Sequence, residues 1–116
     1  MMEVKVTLRV SDEFERQVKR FVKKYKSFID DYSAFIASIK ANPYQGVDLG
    51  GGKRKVRMAV ASKGKGKSGG LRIITYMVVI ESPNDLVVNL ITVYDKNEIS
   101  NVSDAYINQI IRNLTD

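Results

Sequence analysis

Residues 53–94 read KRKVRMAVASKGKGKSGGLRIITYMVVIESPNDLVVNLITVY. Three β-type runs stand in this stretch. Residues 54–61 alternate, with Val56, Met58 and Val60 on one side and Lys55, Arg57 and Ala59 on the other. A period of two marks a strand with one buried face. Leu71 to Ile80 is rich in β-branched residues, and Leu86 to Tyr94 is a second strong strand. They are joined by a glycine-rich loop, Ser62 to Gly70, and by the turn Pro83-Asn84-Asp85. Neither connection has room for a crossover helix, so the three runs predict an antiparallel meander.

Upstream, Val4, Val6, Leu8 and Val10 alternate with Lys5, Thr7 and Arg9, which predicts one more half-buried strand. Ser11 is placed to cap a helix whose first turn holds Asp12 and Glu13. Phe14, Val18, Phe21, Val22 and Tyr25 follow at helical spacing. A second helix begins near Ser27, with Asp30 at the capping-box position, and carries Phe28, Tyr32, Phe35, Ile36 and Ile39. Pro43 drives Asn42 out of helical geometry and ends it. Residues 46–52 read as a loop. Downstream, Ser103 caps a last helix through Tyr106, Ile107, Ile110, Ile111 and Leu114. The phenylalanines at 14, 21, 28 and 35 are spaced by seven, but each helix spans only about two heptads, too few for a sustained coiled coil. They read as the apolar faces of a helical hairpin on a sheet. The order is β-α-α-β-β-β-α over residues 1–116, one α+β domain with helices gathered on one sheet face.

Charge is concentrated in the same central stretch. Eight of the 19 basic residues lie between Lys53 and Arg72, and no Asp or Glu occurs between Asp48 and Glu81. The rest of the chain has 11 basic and 13 acidic residues, so the net charge of +6 arises there. A concentrated positive patch on a balanced domain attracts a polyanion, and nucleic acid is the commonest one inside cells. Lys55 and Arg57 point away from the buried side of their strand. With Lys63, Lys65 and Lys67 of the loop and Arg72 of the next strand, they predict a basic platform.

Composition narrows the chemistry. The chain has no cysteine and no histidine. Thiolate chemistry and the usual neutral-pH acid–base group are therefore absent, and no clustered metal-ligand spacing is present. Asp95, Glu98 and Asp104 read as loop or capping carboxylates. The opening MMEVKVTLRV lacks the apolar core of a signal peptide, and the longest apolar run is Met77 to Ile80. A soluble cytoplasmic protein is expected. Residues 61–68, ASKGKGKS, satisfy a permissive phosphate-loop pattern, but that motif must open a helix. Here Gly69-Gly70 and a strand follow, so the match is set aside.

The motifs NPYQG at 42–46, RKVR at 54–57, SKGKGKSGGLRIITY at 62–76 and ITVYDKNEIS at 91–100 together resemble the RelE/ParE superfamily of toxin–antitoxin toxins, closest to the HigB-like RelE branch. The resemblance runs over nearly the whole chain. It implies a small sheet carrying an N-terminal helical pair. It implies a ribosome-dependent endoribonuclease that cuts mRNA and halts translation without metal or cofactor. A cognate antitoxin, often a helix-turn-helix protein, is the implied partner beside the ribosome and mRNA. ParE-like members of the superfamily are instead associated with DNA gyrase, which gives the rival reading. A basic RNA-binding module without toxicity is the third.

By matching position, the resemblance carries the basic site residues onto Lys55, Arg57, Arg72 and Lys96. Where many RelE members place an arginine after the Lys96 position, this chain has Asn97. Ser103 stands where some members have a tyrosine. In metal-free cleavage the RNA 2′-hydroxyl attacks the adjacent phosphorus, leaving a 2′,3′-cyclic phosphate and a 5′-hydroxyl. Arginine suits the phosphorane, because its planar fork matches phosphate oxygens and stays protonated; Arg57 and Arg72 take that role. A lysine crowded by cations gives up its proton more readily, which suits Lys55 or Lys96 as base. Arg54, Lys63, Lys65, Lys67 and Tyr94 are expected to contact RNA or the ribosome, Tyr94 by stacking on a base or as an acid.

Overall fold

A five-stranded sheet organises the chain, which the computed structural model describes over residues 4–63 and 70–114. Its strands are β1 (Lys5–Val10), β2 (Val47–Gly50), β3 (Lys53–Met58), β4 (Leu71–Val79) and β5 (Asp85–Asp95), in the spatial order β1-β5-β4-β3-β2. Three helices complete it: α1 (Asp12–Lys24), α2 (Phe28–Ala41) and α3 (Asp104–Asn113). The meander is present, with β3–β4 and β4–β5 antiparallel. β1 joins β5 in parallel, as the intervening helical pair permits.

Residues 46–52 are not simply a loop. Val47–Gly50 is a short strand paired antiparallel with β3. Four residues, VDLG, are too few to establish a period, and two of the flanking positions are glycines, so the sequence conceals it. Gly46 makes the approach possible. Its φ is 92°, and a methyl group there would collide with the Lys55 carbonyl. The expected strand over 54–61 ends at Met58, and Ala61–Lys63 forms one turn of 3₁₀ helix.

Ser11 caps α1 as expected. It is buried, accepts from the Phe14 N–H at 2.9 Å and donates to the Ile91 carbonyl at 2.6 Å. One side chain therefore starts the helix and docks it on β5. The capping box at Ser27 does not form. Ser27 Oγ instead donates to Asp31 at 2.6 Å and accepts from the Ser62 N–H at 2.9 Å. Asp31 also accepts from the Ala61 N–H at 3.0 Å, which ties α2 to the 3₁₀ turn.

The sheet is buried on both faces, which corrects the expectation of helices on one side. Phe14, Phe21, Phe28 and Phe35 of α1 and α2 pack with Val56, Met58, Leu71, Ile73, Val88 and Leu90 on one face. The rings of Phe21 and Phe28 stack 6.0 Å apart, so the sevenfold spacing serves an intramolecular core rather than a coiled coil. Each such buried ring contributes on the order of 1.5–3 kcal/mol. On the other face α3 lays Ile107 against Ile74, Ile91 and Tyr94. The signal for this second layer was present. Leu86–Tyr94 is apolar at nearly every position rather than alternating, as a strand covered on both sides must be.

Gln17 joins the two layers beyond the end of β1. Its Oε1 accepts from the Val93 N–H at 2.8 Å and the Thr92 hydroxyl at 3.0 Å. Its Nε2 reaches the Tyr106 hydroxyl of α3 at 3.4 Å. No helix is long and apolar enough to cross a membrane among the described residues.

Candidate functional site

Alternation along β3 sends Lys53, Lys55 and Arg57 to the α3 side of the sheet, because Val56 and Met58 are in the opposite core. Register then does what alternation alone cannot. Arg57 is the direct partner of Arg72, and Arg72 is the direct partner of Tyr94. The three side chains form one row across β3, β4 and β5. Direct partners in an antiparallel pair have Cα atoms about 4.5–5.5 Å apart. Two arginines so placed repel one another.

Arg57 is exposed, whereas Arg72 is partly buried. The Nη1 of Arg72 is buried and has no hydrogen-bond partner among the described residues. Gly70, just before β4, lies close against the end of β3. A methyl group there would stand 2.5 Å from the Met58 carbonyl oxygen and 3.3 Å from Arg57 Nε.

Tyr94 closes the row from beneath. It is 3% exposed, so its ring belongs to the core under α3 and is not available to stack on a base. Burial raises its pKa above the usual phenol value, against the opposing pull of Arg72, so it stays protonated at neutral pH. Its hydroxyl meets Asn101 Oδ1 at 3.4 Å, and Lys55 Nζ meets the same oxygen at 3.4 Å. Asn101, in the loop between β5 and α3, is a member that sequence reading missed. Nothing in its sequence context marks it. Below the row, Lys53 Nζ bonds Asn108 Oδ1 of α3 at 3.1 Å.

Two expected contacts lie elsewhere. Arg54 is on the α1–α2 side of β3, where it donates to the carbonyls of Gln45 (3.1 Å) and Gly46 (3.2 Å). It braces β2 and does not share a face with Arg57. Lys63 is buried at the corner of α1 and α2, with its ammonium 2.8 Å from Asp95 Oδ2 and 5.3 Å from the Tyr25 ring centroid. Tyr25 donates to the same carboxylate oxygen at 2.6 Å. Burial opposes ionisation of Asp95, but hydrogen bonds from Lys63, Tyr25 and the Asn97 N–H prevail and bring its pKa to about 2. Lys63 is thus a structural cation. Lys96 is exposed in the turn after β5. Lys65 and Lys67 lie outside the described residues. The basic face of α1 is partly occupied as well, since Arg20 (2.6 Å) and Lys24 (3.1 Å) both pair with Glu98.

No protein-family model matches the chain. Among solved structures, a mutant of the Escherichia coli toxin RelE in the free state aligns with a TM-score of 0.56, over 97% of this chain and 99% of that one, at 11% sequence identity. The shared property is the fold, the α+β arrangement expected from the sequence.

Proposed function

We propose that the chain is the toxin of a toxin–antitoxin pair, a ribosome-dependent mRNA endoribonuclease of the HigB-like RelE branch. One observation carries this reading: Arg57 and Arg72 stand in direct register on the sheet face that also carries Lys55. Two guanidinium groups side by side, with a lysine on the same face, match the charge of a phosphodiester bent into line. Arg57 and Arg72 hold the phosphorane oxygens as charge develops. Lys55, two residues along the same face from Arg57, takes the proton of the attacking 2′-hydroxyl. Lys96 adds positive charge at the rim. The leaving 5′-oxygen takes its proton from water at the exposed side. A cognate antitoxin, of the helix-turn-helix kind, neutralises the toxin by covering this cationic row.

The experiment is translation of a defined mRNA in a bacterial cell-free system with added protein, with RNA 5′ ends mapped. New 5′-hydroxyl ends confined to translated mRNA are expected. Intact mRNA with arrested DNA replication on expression in cells would replace this reading with the gyrase-directed one. Salt-sensitive RNA binding without cleavage or growth arrest would reduce it to a binding module.

A further inference from the structure

We infer that Asn101 is the positioning residue for Lys55, holding its amine beside the arginine row through an uncharged acceptor. This rests on the role given to Lys55 above. The geometry has three parts. Lys55 Nζ and the Tyr94 hydroxyl converge on one oxygen, Asn101 Oδ1, each at 3.4 Å. A lysine amine in its charged form only donates, so the carboxamide must present its oxygen to Lys55 and turn its NH₂ away. Tyr94 is immobile in the core and belongs to the row of Arg57 and Arg72, so the bridge fixes the flexible lysine stem against a rigid reference.

The chemistry of the acceptor matters more than its presence. A carboxylate in this place would fix the proton on Lys55, and a base so held is slow near neutral pH. A carboxamide gives the same geometry without the charge. The contacts are longer than the ordinary 2.9 Å, as catalytic hydrogen bonds often are before substrate arrives. Among the described residues no carboxylate pairs with Lys55. Lys53 and Arg57 share its strand face, Arg72 and Tyr76 flank its partner Ile74 on β4, and Tyr94 stands on β5 in the neighbouring row of Arg57 and Arg72. Asp104 and Arg112 are the charged residues of α3, and Asp48 of β2 pairs with Arg54 on the far side of β3. Lys96, exposed in its turn, is the control.

The test compares full-length Asn101→Asp and Asn101→Ala with the parent. Single-turnover cleavage on programmed ribosomes is followed from pH 6 to 9.5, and the lysine side chains of the free protein are titrated by NMR. Asn101→Asp should move the rising limb of the pH–rate profile upward by about one unit, slowing cleavage about tenfold at neutral pH and recovering it in alkali. It should move the NMR midpoint of Lys55 in the same direction and leave that of Lys96 in place. Asn101→Ala should slow cleavage about tenfold at every pH, without changing substrate half-saturation. A purely structural role would alter thermal stability and leave the pH profile alone. An unchanged Lys55 midpoint and an unchanged profile in Asn101→Asp would overturn the inference. The NMR arm needs no activity, so a parent protein that does not cleave would sink the nuclease reading while the contact itself is still decided.

Discussion

Arg57 and Arg72 face each other as direct partners in the β3–β4 ladder, two cations where cross-strand pairing favours opposite charges. Removing one of them lowers that repulsion, and in the function proposed above it also takes away one of the two groups that hold the phosphorane. Arg72→Gln is therefore expected to lower cleavage by at least about 100-fold. The same change should leave the fold intact, with stability unchanged or raised by up to about 1 kcal/mol at low salt. Thermal melts with and without sulfate check the second half, since the parent should gain more from sulfate than the variant. A folded Arg72→Gln protein with full activity would remove Arg72 from the site.

Arg54 and Arg57 are three residues apart but have separate duties. Arg54→Ala should cost about 1–2 kcal/mol, because two carbonyls near β2 lose a charged donor. Its cleavage rate per folded molecule should stay within about threefold of the parent. Arg57→Ala should show the reverse, a large loss of rate with little change in denaturation midpoint. If the two variants behaved alike, the assignment of faces would be wrong.

Asp95 makes stability depend on acid. Its folded pKa, about 2, lies below the ordinary carboxylate value, so its contribution is complete above about pH 4 and is lost as pH falls towards 2. The loss is about 2 kcal/mol on that account. Asp95→Asn should destabilise by about 3–5 kcal/mol at neutral pH, since the Lys63 ammonium is left buried and unpaired. The double change Lys63→Met with Asp95→Leu should recover most of it. Urea titrations from pH 2 to 7 decide the matter; an Asp95→Asn protein as stable as the parent at neutral pH would refute it.

Tyr94→Phe should keep stability within about 1 kcal/mol, because the ring rather than the hydroxyl fills the space under α3. Cleavage should fall by no more than about tenfold, since only one contact to Asn101 is removed. A loss beyond about 1,000-fold would restore the hydroxyl to a direct role as acid. Tyr94→Ala, by contrast, empties the core and should cost about 3–5 kcal/mol.

Much of this was legible in the sequence because the governing signals are local. Period two located β1, β3 and the basic face of Lys55 and Arg57. Helical spacing located α1, α2 and α3, and Ser11 and Ser103 cap as their positions suggest. What stayed hidden depends on partners distant in the chain. The alignment of Arg57 with Arg72 is a matter of register across a loop of unknown geometry. The capture of Lys63 by Asp95 joins residues 32 positions apart. A basic residue in a basic segment gives no sign that a buried carboxylate awaits it, and an asparagine in a loop gives no sign that it receives a lysine.

The parallel pairing of β1 with β5 sets the order in which the molecule can be assembled. Val6 lies beside Leu86, so the first strand to be synthesised is the last to find its neighbour. The meander can close through hairpins as it emerges, whereas β1 and its two helices must wait for a contact of long sequence separation. Until then Phe14, Phe21, Phe28 and Phe35 have no sheet to cover. A nascent chain halted before residue 85 is therefore sticky, incomplete and without the Arg72–Tyr94 half of the row. The row of Arg57, Arg72 and Tyr94 lies wholly on the meander, so its register can be set before β1 and the two helices dock, and the covering of the opposite face is the step of longest sequence separation.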